Sequence, residues 1–324
     1  MRKPFLLEPA AKDYLWGGSR LNDDFGKGIA LEPLAETWEC STHPDGESRV
    51  NGEALSRVLA RNPDWLGTHP LKTTGGRPEL PILIKLIDAR QDLSVQVHPD
   101  DEYAMRHEGS LGKTELWYVL AAKPGAKLVY GFERDATRES VLRAIRNGSL
   151  DMLLNHVEVE KDDLFYIEAG TVHALGAGCL IAEIQESSNI TYRLYDYDRV
   201  GLDGKKRPLH IEKALEVARL RSSAVPRQPM RVLRYRSGYA SELLARCPYF
   251  QVERVLLNTE IRRSLVDFRT DADSFHVLLC VDGCGSISGE GFMMNFFKGD
   301  CVFVPAESMP LKLHGKAQLL DVSC

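Results

Sequence analysis

No run of about 18 apolar residues occurs anywhere in this 324-residue chain, which argues against a membrane-spanning helix. The opening MRKPFLLEPAAKDYLWGG is basic and briefly apolar, but Glu8, Lys12 and Asp13 interrupt it too early for a secretory leader. A basic surplus is missing as well. Lys and Arg number 41 against 46 Asp and Glu, a net charge of −5, which disfavours broad nucleic-acid binding. That balance leaves a small anionic ligand open, because a few basic residues in one pocket suffice to hold it. The seven cysteines are odd in number and scattered, and the one close pair, Cys280 and Cys284, matches no common zinc spacing. Without a leader, this usage reads as reduced thiols in a cytoplasmic protein. There is no strict short repeat and no low-complexity stretch, and nothing in the sequence sets an oligomeric state. What is present, 44% hydrophobic and 27% charged residues, is enough to build real cores without disulfides.

Most of the chain reads as short strands separated by Gly, Pro, Asp and Asn. Examples are 80–88 (LPILIKLID), 93–98 (LSVQVH), 115–120 (ELWYVL), 126–131, 163–168, 178–185, 275–282 and 300–305. Many short strands with turn signals between them predict a mainly β sandwich or barrel rather than βαβ units. Two segments have helical spacing. One is an insert at about 135–156, led by Thr137-x-x-Ser140; the other is 209–221. SSAVPRQP at 222–229 reads as a linker. The expected domains are therefore 1–222, holding nearly all candidate chemistry, and 230–324, a smaller all-β half.

In LSVQVHPDD, alternation puts Leu93, Val95 and Val97 on an apolar face and Ser94, Gln96 and His98 on a polar one. GKTELWYVL places Lys113 and Glu115 on one strand face, and His173 follows a Gly-containing turn in AGTVHAL. Two imidazoles and a carboxylate can hold zinc with a position left open for substrate, and the Gln96 amide oxygen could add a weaker ligand. Manganese or cobalt fits the same set.

The strings QVHPDD, GKTE, GTVHALG and YRLYDYDR, in this order and spacing, closely resemble type I mannose-6-phosphate isomerases, in particular the short bacterial form. WGG at 16–18, AETWECSTHPDGES at 35–48 and LPILIKLIDARQDLSVQVHP at 80–99 fit too, so the resemblance covers essentially the whole chain. It implies two cupin (jelly-roll barrel) halves, with one zinc ion in the first. Carried over, the metal ligands are Gln96, His98, Glu115 and His173, and the catalytic arginine is Arg193. Two departures stand out. Pro-x-Gly before the last histidine is replaced by Glu168-Ala169-Gly170-Thr171, and the second half has no metal set around His276 or His314. The larger helical domain of the eukaryotic members is reduced to the insert.

The implied reaction interconverts mannose 6-phosphate and fructose 6-phosphate by moving a proton between C1 and C2 through an enediol. Zinc would stabilise the charge on the oxygens. Arg193 is a candidate for substrate charge stabilisation, with an ion pair to Asp196 or Asp198 as the alternative. Lys113 is a candidate phosphate ligand or proton carrier, Ser94 a phosphate or O1 contact, and Glu36 a base or a surface charge. Lys85, inside the apolar ILIKLI, needs an edge position or a site to explain it. A sugar-binding regulator, an isomerase of another sugar phosphate and a metal oxygenase of the same fold are the rival readings. The pattern Lys205-Lys206-Arg207 reads as a short loop charge patch.

Overall fold

The structure is a computed structural model and describes residues 2–324 apart from 202, 203, 225, 227, 262 and 263. Val225 and Arg227 of the expected 222–229 linker thus lie outside the described residues. Ile82–Asp88 is buried along its whole length. It lies at the centre of a six-stranded antiparallel sheet ordered Leu164–Ile167, Glu115–Ala122, Cys179–Glu186, Ile82–Asp88, Glu36–Cys40, Ala10–Lys12. A five-stranded sheet follows the order Leu154–Glu158, Lys127–Phe132, His173–Leu175, Val95–Val97, Tyr192–Tyr195. The fold is mainly β, as the turn-punctuated sequence predicts.

Period-2 alternation sets the layers. Ile82, Ile84 and Leu86 face a core shared with Val252, Phe275, Phe303 and Leu320 of the C-terminal sheet. On the other face, Ile87, Trp117 and Ile181 meet Leu128 and Leu175 of the five-stranded sheet. The outer face of that second sheet, with Val95, Val97 and Leu194, packs against Val141 and Ala144 of one helix and Ala214 and Leu215 of another. The residues alternating with Val95 and Val97 therefore point into the space between the two sheets. Leu93 departs from the expected apolar face. The strand begins at Val95, and Leu93 packs with the inter-sheet cluster instead.

The insert forms the helix Arg138–Arg146. Its start is a reciprocal capping box between Thr137 and Ser140, followed by a single 3₁₀ stretch, Leu150–Leu153. The second expected helix is shorter than its sequence pattern, Ile211–Val217, because Ala218 turns extended. Helices Leu55–Arg61, Thr68–Thr73 and Asp101–His107 were not expected; at six or seven residues each they are too short to show periodicity. The C-terminal sheet is built on the long strands His276–Gly289 and Leu311–Ser323. It also takes in Phe5–Leu7, which pairs with Cys301–Val304, so the N-terminal segment is woven into the C-terminal half. No described helix is long and apolar enough to cross a membrane.

Candidate metal centre and substrate cavity

Three of the expected ligands converge. The ligand atoms of His98, Glu115 and His173 lie within 4.8 Å of one another, and all three residues are buried. Each comes from a different strand or strand end. His98 ends the polar face of Val95–Val97, Glu115 opens Glu115–Ala122, and His173 opens His173–Leu175. Gln96 joins them, since its residue pairs directly with His173 across the ladder and its amide nitrogen is 3.4 Å from His173 Nε2. A half-turn of the amide exchanges its nitrogen for its oxygen.

The donor atoms are poised for a cation. His98 Nδ1 bonds the Ile190 carbonyl at 2.7 Å and His173 Nδ1 bonds the Thr171 carbonyl at 2.8 Å. Each bond places the proton on Nδ1 and turns the Nε2 lone pair inward, the second-shell arrangement that metal-ligating imidazoles use. His98 Nε2 and both Glu115 oxygens are buried without a hydrogen-bond partner. Glu115 Oε1 is 3.3 Å from His173 Nε2 and Oε2 is 3.7 Å from His98 Nε2. Burial holds His98 well below the usual imidazole range and His173 at about 4, so both stay neutral at physiological pH. Burial also pushes the Glu115 carboxyl up, against the pull of Lys113. A buried carboxylate with neither oxygen hydrogen-bonded, facing two inward imidazole lone pairs, has donor capacity left for a cation beside the Lys113 ammonium. The residues present fit a divalent metal.

The charges around this group are also buried. Lys113 Nζ is 3.0 Å from Glu115 Oε2, an ion contact without hydrogen-bond geometry, and 3.9 Å from Glu183 Oε1. Lys85 Nζ is 3.1 Å from Glu183 Oε1 and 3.9 Å from Glu36 Oε2. Burial would raise Glu183, but Lys85 and Lys113 outweigh it and hold its carboxyl at about 2. Lys85 is raised despite burial by Glu183 and Glu36. Two ammoniums against the three carboxylates Glu36, Glu115 and Glu183 leave one negative charge, which a divalent cation would overcompensate toward an anionic ligand.

This cluster forms the floor of a cavity of about 370 Å³, with walls from Tyr14, Trp16, Trp117 and Leu175 and a rim carrying Asn189, Thr191, Arg193 and Arg207. Gln96, Ser94, Lys85, Glu36 and Lys113 all line it. Arg193 pairs with neither Asp196 nor Asp198. Its Nε donates to Ser94 Oγ at 3.3 Å and one terminal nitrogen to the Pro208 carbonyl at 3.1 Å. Asp196 is taken instead by Arg199 and Arg207. A larger cavity of about 730 Å³ lies behind Tyr192–Tyr195, with Leu142, Ile145, Leu209 and Ile211 in its wall. It shares Thr191 with the first but gathers no comparable set of buried ligands, so the chemistry belongs to the smaller one.

Comparison with known proteins agrees with this geometry. Residues 5–118 match the family model for the catalytic domain of type I phosphomannose isomerase, and residues 241–324 match the mannose-6-phosphate isomerase cupin domain. The chain is 37% identical over 325 residues to the mannose-6-phosphate isomerase ManA of Bacillus subtilis, covering 98% of each. The chain belongs to the type I phosphomannose isomerase family. A second relative, the mannose-6-phosphate isomerase of Streptococcus mutans, is 37% identical over 267 residues, 81% of each chain. The crystal structure of the mannose 6-phosphate isomerase from Bacillus subtilis superimposes with a TM-score of 0.88 at 31% identity, over 100% of both chains. As a family member the protein is an aldose–ketose isomerase on a cupin scaffold.

Two residues that line this cavity are not marked by the sequence pattern alone. Glu183 stands in CLIAEIQE as a lone acid within an apolar strand, the same signal that Lys85 gives in ILIKLI, and the two pair across the ladder. Arg207 was read as part of a loop charge patch. Its neighbour Lys206 does pair with Asp198, at 2.5 Å, but Arg207 turns to the cavity rim. Glu36, for which a surface charge was an alternative, is only 7% exposed and accepts from Trp38 Nε1 at 2.7 Å. Lys85 is no edge residue: both neighbouring strands pair with its own. In the C-terminal half, His276 bonds Asp321 and His314 bonds Thr259, each at 2.7 Å.

Proposed function

We propose that the enzyme interconverts mannose 6-phosphate and fructose 6-phosphate through an enediol, with one zinc ion per chain held by His98, His173, Glu115 and Gln96. The observation that carries this reading is the convergence of unpartnered, inward-turned donors beneath a cavity rimmed by two arginines. The names of these two relatives support mannose 6-phosphate as a substrate. Two imidazoles and a carboxylate are a set that catalytic zinc takes, with the amide oxygen as a weaker fourth ligand.

When bound, the zinc ion supplies a Lewis acid for the negative charge that builds on O1 and O2. Arg193 holds the phosphate, with Ser94 Oγ as a second contact, and Arg207, its fork on Asp196, adds positive charge beside them. Lys85 and Glu36 orient the sugar hydroxyls from the floor. Lys113, beside the metal group and lining the cavity, is the carrier of the proton between the two carbons. Glu183 keeps the two lysines in place through the contacts described above. Trp16, Trp117 and Leu175 exclude water from the reacting carbons.

A coupled assay of mannose 6-phosphate conversion, before and after chelation, tests the reading. Activity should vanish with the chelator and return with added zinc. A folded, zinc-loaded protein that fails to turn over mannose 6-phosphate would overturn the substrate assignment.

A further inference from the structure

Lys113 does not stand on a strand. It precedes Glu115–Ala122 by two residues, on a segment with no ladder partner, so something other than sheet pairing must fix its backbone. Four bonds do so. Gly112 N–H donates to Asp101 Oδ1 at 2.8 Å, and Lys113 N–H donates to the Pro99 carbonyl at 3.0 Å. Thr114 N–H donates to Glu186 Oε1 at 2.7 Å, and Glu186 N–H returns a bond to the Thr114 carbonyl at 3.1 Å. Gly112 is packed so closely that a Cβ there would lie 2.4 Å from the Asp100 carbonyl carbon.

Asp101 and Glu186 thus accept from amides two residues apart on this one segment. Glu186 is 2% exposed. Burial, with the Asp101 charge added, pushes its carboxyl up to about 8. A third element reaches the pair from the C-terminal half. Tyr249, in the turn between Tyr239–Arg246 and Gln251–Asn258, donates its hydroxyl to Asp101 Oδ2 at 3.3 Å.

We propose that Asp101 and Glu186 form a carboxyl clamp that positions Lys113 for turnover, and that Tyr249 ties this clamp to the C-terminal half. Both carboxyls are positioning residues; neither lines the substrate cavity. The inference rests on the reading of Lys113 as the proton carrier. It gives the metal-free half a part in the reaction, as the buttress of the segment that delivers the lysine.

The test measures kcat, KM and bound zinc on the full chain, zinc-loaded, for Glu186→Ala, Asp101→Ala, their double variant, Glu186→Gln and Lys113→Met. Loosening the segment should lower kcat about 10–100-fold in each alanine variant, as expected of a small misplacement of a reacting group. KM and zinc content should stay within about twofold, the pattern of an interaction used in the transition state. The double variant should fall no further than the worse single, because the two act as one unit. Glu186→Gln keeps an acceptor for the Thr114 N–H, and should restore kcat to within about threefold of the parent. If Glu186→Ala does not fold, Asp101→Ala, at a half-exposed position, carries the test. Parental kcat in the alanine variants beside an inactive Lys113→Met would overturn the clamp alone. Parental kcat in Lys113→Met would overturn the reading of the lysine instead.

Discussion

At the scale of single residues, the site is governed by what each buried polar atom lacks. His98 and His173 spend Nδ1 on backbone carbonyls and keep Nε2 for the cavity, and Glu115 keeps both oxygens. His173→Ala should therefore abolish metal binding and activity together, measured as zinc per chain and turnover. Arg193 is different. Its guanidinium touches Ser94 and a carbonyl but no ligand of the metal group. Arg193→Ala should keep zinc and fold and lose most turnover. Loss of zinc from that variant would make Arg193 a structural residue. Loss of one charged anchor of a bound oxyanion corresponds to about 2–5 kcal/mol.

At the scale of elements, strand alternation does most of the positioning. Ser94, Gln96 and His98 reach the inter-sheet space because Val95 and Val97 are claimed by the core under the two helices. The same rule brings Lys85 and Glu183 inward while Ile84 and Ile184 face the opposite core. The helix Arg138–Arg146 backs this sheet, and its start depends on local hydrogen bonds. Thr137 Oγ1 accepts from Ser140 N–H at 3.1 Å, and Ser140 Oγ accepts from Thr137 N–H at 2.9 Å. Thr137→Ala should cost about 1 kcal/mol of stability with little change in turnover, checked by denaturant titration beside the assay. A large fall in turnover at unchanged stability would show that this helix end bears on the site.

At the scale of the whole molecule, the two halves share a core, and a buried ion pair of the first half bonds the second. Lys27 Nζ is 2.6 Å from Glu39 Oε1 and also bonds the Gly299 carbonyl, linking an N-terminal loop, the strand Glu36–Cys40 and a C-terminal turn. Glu39 is fully buried, with Thr37 Oγ1 donating to it at 2.6 Å. Lys27→Met would strand that carboxylate and should destabilise the protein by about 3–5 kcal/mol, read by chemical denaturation. The C-terminal half also carries a pH dependence. Burial would lower His276, but Asp321 outweighs it and raises the imidazole above its ordinary value. The contribution is fully present below the unfolded value of about 6.5 and is lost as pH rises through the folded value. Parent and Asp321→Asn should thus differ more in stability at about pH 6 than at about pH 9. An equal difference at both would exclude a charged pair.

The sequence by itself determined the strands and their alternation and singled out His98, Glu115 and His173, because a period of two and a fixed order of motifs are local properties of the chain. Val95 and Val97 flanking Gln96, and Glu115 two residues after Lys113, carry that information in single short strings. Glu183 and Arg207 were not legible in this way. A lone acid in a strand and an arginine in a basic loop look the same whether they face a site or solvent; pairing across the sheet turned Glu183 inward, and Asp196 holds Arg207 beside the cavity. The same holds for Asp101, Glu186 and Tyr249, which meet across 148 residues of chain. Their contact exists because the C-terminal sheet packs on the first half. Only the tertiary structure decided which buried charges share a neighbourhood, since desolvation and Coulomb energy depend on distance in space and not on spacing along the chain.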